Sequence, residues 1–170
     1  ILSADGTKSC ASCHNPKNAF TDKEQFSIGI DGKFGFRNAM PLFNLAWNFD
    51  DRFNWNGSAF GLENQGFEPV SNPIELHADW KNIAEKIQNH SEYPTLFLRA
   101  FGSSTIDSTY VTKAIAQFER TLISGNSKFD QFLLGKATLT PEEENGFNVF
   151  MDEEKGDCFH CHGSNNNPLW

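Results

Sequence analysis

Two short runs near opposite ends of the chain carry residue types suited to redox chemistry. The first is Cys10-Ala11-Ser12-Cys13-His14 and the second is Cys158-Phe159-His160-Cys161-His162. Together they use all four cysteines of the 170 residues. Each run reads C-x-x-C-H, the attachment pattern of a c-type haem. Two thiols at that spacing can add to the two vinyl groups of one porphyrin, and the next His can reach the iron from the proximal side. The pattern predicts two covalently bound haem c groups, anchored by Cys10 and Cys13 and by Cys158 and Cys161. His14 and His162 are the expected iron ligands, and His160 is a filler inside the second run.

Three other readings compete. A structural zinc site also uses two Cys pairs, but usually about 15–20 residues apart. These pairs stand far further apart, and both are followed by His. A redox dithiol explains one pair, not two that end in His. Disulfides are open to a chain in an oxidising compartment.

The elements that must hold these groups are helices and loops. Residues 1 to 75 read as mostly loop, punctuated by Gly29-Ile30-Asp31-Gly32 and Asn72-Pro73. Asp79 can cap a helix from Trp80 to about Asn89, with Ile83, Ala84 and Ile87 on one face. Ser108 can cap another from Thr109 to Ile123, with Val111, Ile115, Phe118 and Leu122 at helical steps and Gly125 as a stop. A short helix holds Phe129, Phe132 and Leu133. Thr140-Pro141-Glu142-Glu143 is a capping box with Pro at the first position, opening a helix through Phe147 and Phe150 towards Met151. No alternating strand pattern appears, so the expected class is all-α with much irregular loop. The join between two haem-bearing units falls near residues 124 to 128.

Composition narrows the function classes. The net charge is −8, which argues against a nucleic-acid partner. It suits a donor with a basic docking face, and equally a surface kept acidic for solubility. No apolar run approaches a membrane span. The 17 Phe residues can line flat haem faces or fill an ordinary core. The chain begins with Ile1, and Trp170 follows His162 closely. We therefore expect a sequence lacking its beginning and a substantial end, with an export signal removed and a periplasmic location.

Further segments extend the first run into a longer pattern. Leu2-Ser3-Ala4-Asp5-Gly6 precedes it, then come Pro16, Ala19-Phe20-Thr21-Asp22, Ser27-Ile28-Gly29 and Arg37-Asn38. Phe53-Asn54-Trp55-Asn56-Gly57, Leu62-Glu63-Asn64-Gln65 and Asn72-Pro73-Ile74-Glu75 follow. Phe118 to Ser124 and Ser127-Lys128-Phe129-Asp130 complete it. This ordered set closely resembles the bacterial dihaem cytochrome c peroxidases and their MauG-type relatives, over nearly all of the chain.

The resemblance implies two domains: residues 1–124 as the peroxidatic haem domain and 125–170 as the start of an electron-transfer haem domain, incomplete here. It implies reduction of hydrogen peroxide to water with electrons from a small periplasmic cytochrome c or cupredoxin. The alternatives are a MauG-like oxidase acting on aromatic residues of a partner protein, and a dihaem electron carrier that is not an enzyme. It suggests a homodimer. Carried over by motif, Glu75 is the distal acid–base group, the alternative being an exposed loop carboxylate. Gln65 places peroxide or a distal water, and Pro69 closes space above the iron; either could be an ordinary loop residue. Trp55 is the ring between the haems, or else a core Trp. Its surroundings depart from the family, with Trp-Asn-Gly-Ser where Trp-Asp-Gly-Arg is common. Asn38 resembles a calcium ligand or caps a turn. Arg37 meets a haem propionate or a surface carboxylate.

One departure carries a prediction. Many of these peroxidases place a His on the loop after Ser-x-Gly, where it binds the first iron in the oxidised form. Here that position is Ile30, which cannot bind iron. His77 and His90 read as surface residues near a helix. Spectroscopy of the all-ferric protein should therefore find no six-coordinate, low-spin bis-His first haem; finding one overturns this reading.

Overall fold

A computed structural model describes residues 1–163. Trp170, and the reading attached to it, lies outside the described residues. The chain is mostly helical with little strand. Its contacts divide it into two compact units, Ile1–Leu122 and Ile123–Trp170.

The first unit begins with loops and four short 3-10 turns, then forms a minimal hairpin. Strand β1 (Arg52–Phe53) pairs antiparallel with β2 (Ala59–Phe60) in the register Phe53 to Ala59. Five helices follow: α1 (Leu62–Gln65), α2 (Phe67–Ser71), α3 (Trp80–Gln88), α4 (Tyr93–Phe101) and α5 (Ser108–Arg120). Helix α3 starts where expected, with the Asp79 side chain accepting the Asn82 N–H. Helix α5 starts one residue earlier than expected. Its cap is Asp107, which accepts from Tyr110 N–H, so Ser108 lies inside the helix. It ends at Arg120 rather than Ile123.

Helix α4 was not foreseen, although it carries Pro94 in its first turn and closes on Gly102 at φ +70°. That is the usual asymmetry of Pro at the start and left-handed Gly at the end. Its aromatic face continues through Tyr93, Phe97 and Phe101 to Tyr110 of α5. Helices α1 and α2 interrupt the stretch expected to be loop; at four and five residues each they are too short to show a helical period.

The main core joins α3, α4 and α5 through Ile83, Ile87, Phe97, Ile106 and Val111, with Val70 and Leu76 beneath. A second cluster packs Phe53, Ala59 and Leu62 on Ala116 of α5. This second contact sets the rotation of α5. Ala116 is fully buried, and a Cβ at Gly66 would meet Thr112 Cγ2 at 3.5 Å, so α1 approaches across small residues. The buried stripe of α5 is therefore Val111, Thr112, Ala116 and Glu119. The expected apolar face was rotated from this, and Phe118 is 59% exposed.

The second unit is built from α6 (Lys128–Leu133), α7 (Pro141–Met151) and α8 (Phe159–His162). The predicted capping box is present, with Thr140 and Glu143 exchanging hydrogen bonds. Three acids in the first turn of α7 favour the positive end of its dipole. Phe129 and Phe132 of α6 meet Phe147 of α7, with ring centroids 5.3 and 6.3 Å away. Lys128 pairs with Glu143 across the same contact. Gly156 allows its turn to close on the Val149 carbonyl (N–O 3.1 Å), where a Cβ would overlap that oxygen.

Ile83 is 1% exposed at the centre of the main core. Truncating such a side chain removes its burial and leaves a cavity, costing about 2–5 kcal/mol. Ile83→Ala should lower the urea midpoint of the haem-loaded protein accordingly, without changing the absorbance of the bound haem.

Candidate functional site

The first C-x-x-C-H run is folded by its own backbone. A 3-10 turn over Cys10–Ser12 lets His14 N–H reach the Cys10 carbonyl at 2.8 Å and Cys13 N–H reach it at 3.2 Å. The second run repeats the arrangement: His162 N–H meets the Cys158 carbonyl at 2.9 Å. All four cysteines are free of disulfides. In the second run His160 is drawn to carboxylates, its Nδ1 pairing with Asp157 while Nε2 stands 3.8 Å from Glu153.

The ring of His14 is fixed from behind. Its Nδ1 lies 3.0 Å from the Phe20 carbonyl and 2.9 Å from the Met40 carbonyl. Carbonyl oxygens only accept, so Nδ1 carries the proton and Nε2 keeps its lone pair. That is the tautomer a metal-bound His needs, with the remote nitrogen held by an acceptor.

His14 opens on a cavity of about 510 Å³, within the usual range of about 300–1,000 Å³ for ligand sites. The same cavity is lined by Cys10, Cys13, Arg37, Asn38, Trp55, Gln65, Pro69 and Glu75. Every site residue expected in the first unit thus faces one space. Both cysteines of the run and His14 border it. Ser27 Oγ is buried on its wall without a hydrogen-bond partner among the described residues. These features fit a covalently held haem, with Cys10 and Cys13 as anchors and His14 as the iron ligand.

Glu75 is held at two levels. Asn72 Oδ1 accepts from Ile74 N–H at 3.0 Å, and Asn72 Nδ2 donates to Glu75 Oε1 at 2.7 Å. One side chain therefore shapes the turn and holds the carboxyl. The backbone is pinned as well, since the Glu75 carbonyl accepts from Ile30 N–H at 2.8 Å. Gly29 makes that seam possible. A Cβ there would overlap the Ile74 carbonyl oxygen and lie 2.8 Å from Glu75 Cα. Ile30 itself is 3% exposed, part of the packing behind Glu75. Glu75 is exposed by its surface area and borders the cavity. The surrounding wall raises its carboxyl above the ordinary range; the Asn72 bond opposes this and Glu68 adds to it.

The remaining side chains take defined positions. Gln65 sits on α1, its Nε2 3.5 Å from Asn54 Oδ1. Asn54 Nδ2 in turn donates to Glu68 Oε2 at 2.7 Å. Pro69 of α2 offers its carbonyl to Leu76 N–H at 3.2 Å. Trp55 is 58% exposed, and its indole N–H donates to the Asn38 carbonyl at 2.8 Å. Asn38 clamps a turn: its Oδ1 accepts from Thr21 Oγ1 at 2.8 Å, and its Nδ2 donates to the carbonyls of Asp22 and Glu24. Calcium ligation would require Oδ1 to exchange that hydroxyl for the ion. Arg37 is exposed, with no ion-pair partner among the described residues. His77 is exposed, and His90 stacks on Tyr93 at 4.7 Å.

Asn72, Gly29, Ser27 and Glu119 stood in the quoted segments, but sequence reasoning gave none of them a role. The Asn72-Pro73 pair was read as a turn signal, which does not reveal that the Asn72 side chain also holds Glu75. Glu119 was hidden by the rotated helical face.

The comparisons agree with this geometry. The family described as di-haem cytochrome c peroxidase matches residues 1–138. This chain belongs to that family. It is 39% identical over 163 residues to a cytochrome c551 peroxidase of Nitrosomonas europaea, covering 95% of this chain and 47% of the relative. It is 36% identical over 165 residues to the methylamine utilization protein MauG of Methylorubrum extorquens, covering 96% and 46%. A MauG-like protein associated with microbial copper homeostasis superposes with a TM-score of 0.85 at 35% identity, covering 96% of this chain and 48% of that one. The chain spans about half the length of these relatives. The family implies haem c as cofactor.

The seam at Gly29 is testable without any activity. Forcing a methyl group into packed backbone costs about 1–3 kcal/mol. Gly29→Ala should lose that much stability in urea denaturation of the haem-loaded protein. Gly35→Ala, where a Cβ would meet its nearest neighbour at 3.4 Å, should lose little.

Proposed function

We propose that this chain is the peroxide-reacting half of a dihaem cytochrome c peroxidase. The observation that carries the reading is a single cavity bordered by Cys10, Cys13 and His14 together with the clamped carboxyl of Glu75. Haem c bound there would supply the electron transfer and the oxygen chemistry.

The residues of the chain do the rest. Peroxide becomes two waters when it takes up two electrons and two protons. Glu75 takes a proton from one peroxide oxygen and returns it to the other, so that the departing oxygen leaves as water. Burial that raises the Glu75 carboxyl brings its proton affinity closer to neutral pH, where exchange in both directions is fastest. Asn72 keeps the carboxyl aimed, which avoids reorganisation at the moment of transfer. Gln65 offers an amide to hold the substrate oxygen, and Pro69 limits the space beside it. Trp55 offers a large π surface for passing charge towards the second haem, held by Cys158, Cys161 and His162. A small cytochrome c or cupredoxin with a basic face is the donor that suits the acidic chain. Export to the periplasm belongs to the same reading.

The comparable identity to MauG (36%) supports a second reading, oxidation of aromatic side chains on a partner protein. The two part on substrate: peroxide-dependent oxidation of a reduced small cytochrome against peroxide-dependent oxidation of a protein Trp or Tyr.

Glu75→Gln keeps the shape of the side chain and removes the proton exchange. It should lower the rate of peroxide-dependent donor oxidation by about 10²–10⁴, with haem content unchanged. A loss below about tenfold, against that usual range, would exclude Glu75 as the acid–base group.

A further inference from the structure

Glu119 is an acid that the chemistry above does not use. It stands on α5, 7% exposed, and lines the same cavity as Cys10, His14 and Glu75. Its carboxyl makes no hydrogen bond with any described residue. Buried carboxylates are normally paired, because an unpaired charge in a poorly solvated site is expensive.

The nearest cation is committed elsewhere. Arg120 makes a two-pronged bond to Glu63 of α1, with Nη1–Oε1 at 2.6 Å and Nη2–Oε2 at 3.1 Å. That bond holds Glu63 below the usual carboxylate range. Arg120 also feels Asp51, and Glu63 feels Lys113. The charges acting on Glu119 are then Arg120 on its own helix and Glu63 from α1. On the C-x-x-C-H turn, burial raises the Cys10 thiol and Glu119 adds to it. Lys8, Arg37, Glu68 and Glu75 border the same cavity. On the proposed reading the acid–base role falls to Glu75, which Asn72 holds.

We propose that Glu119 is a second proton site of the haem cavity, whose carboxylate binds one proton when the iron carried by His14 gains one electron. The proposal rests on the haem reading of His14 and does not need the peroxidase reading. The balance is simple. Haem bound at His14 would accept one electron from a one-electron donor, its iron passing from ferric to ferrous. The Glu119 carboxylate takes one proton from solvent and becomes a carboxylic acid, and one O–H bond forms. The cavity's net charge is unchanged, which is what a site of low polarity favours.

Burial pushes Glu119 up to about 7; Arg120 opposes the shift and Glu63 adds to it. A ferric centre lowers that value by attraction, and reduction relaxes it. Above the window between the two values the group is ionised in both redox states. Below the window it is protonated in both. Within it, the reduction potential must fall as pH rises, because reduction then consumes a proton.

The test is a spectroelectrochemical titration of the first haem in the full haem-loaded protein, at a series of pH values from mildly acid to mildly alkaline. The wild type should show a falling potential, tending towards one proton per electron. Glu75→Gln should keep that fall, Glu119→Asp should keep it in a displaced window, and Glu119→Gln should lose it. A fall that persists in Glu119→Gln overturns the proposal. Should Glu119→Gln fail to load haem, infrared difference spectra of the wild type decide. A carboxylic-acid C=O band that appears on reduction, also in Glu75→Gln, supports the assignment, and its absence overturns it. Absence of any Soret band at the first site would instead overturn the haem reading, and this proposal with it.

Discussion

The whole site depends on where one proton sits on one imidazole. With the Phe20 and Met40 carbonyls at 3.0 and 2.9 Å from Nδ1, His14 presents Nε2 to the cavity. Phe20 and Met40 come from separate loops, so the ring is oriented by the path of the chain and not by its own helix turn. The irregular first third of the molecule is therefore a device for delivering acceptors. Thr21 and Asn38 keep those two loops together: the Thr21 hydroxyl meets the Asn38 amide at 2.8 Å, and that amide bridges to the carbonyls of Asp22 and Glu24.

The chemistry-bearing residues were legible because their types are rare and their spacing is fixed by covalent attachment. Cys10, Cys13 and His14 could be read from the motif alone, and Glu75 from the segment around it. Their convergence was not legible. It depends on contacts such as Ile30 N–H to the Glu75 carbonyl, and no pattern of residue types encodes a backbone bond between loops. The helices split the same way. Helices α3 and α7 announced themselves through Asp79 and through Thr140 with Glu143. The cap of α5 was misread by one residue, because Asp107 and Ser108 are both good capping residues and only the observed bond to Tyr110 N–H decides between them. The rotation of α5 was misread because large apolar residues were given the inside. In the folded chain, close approach of α1 reserves it for Thr112 and Ala116.

That rotation has an electrostatic result. Turning α5 to bury Ala116 also buries Glu119 three residues on, beside the haem-attachment turn. The adjacent Arg120 swings to the α1 side and pairs with Glu63. A helix–helix contact made of small residues thus separates two neighbouring charges into different surroundings, one ion-paired and partly solvated, one without a hydrogen bond and bordering the cavity. Glu75 and Glu119, both bordering the cavity, differ in the same way. Glu75 is raised by burial but steadied by Asn72, whereas Glu119 has only the opposing charge of Arg120.

The Asn72 side chain, finally, does two jobs with one amide. Its oxygen closes the turn at Ile74 and its nitrogen holds Glu75. Swinging the carboxyl out of the cavity would forfeit one of those bonds, and rotating the amide to follow it would forfeit the other. The carboxyl is thus biased towards the cavity by one hydrogen bond, worth about 0.5–1.5 kcal/mol, so its excursions are rarer than those of a free side chain.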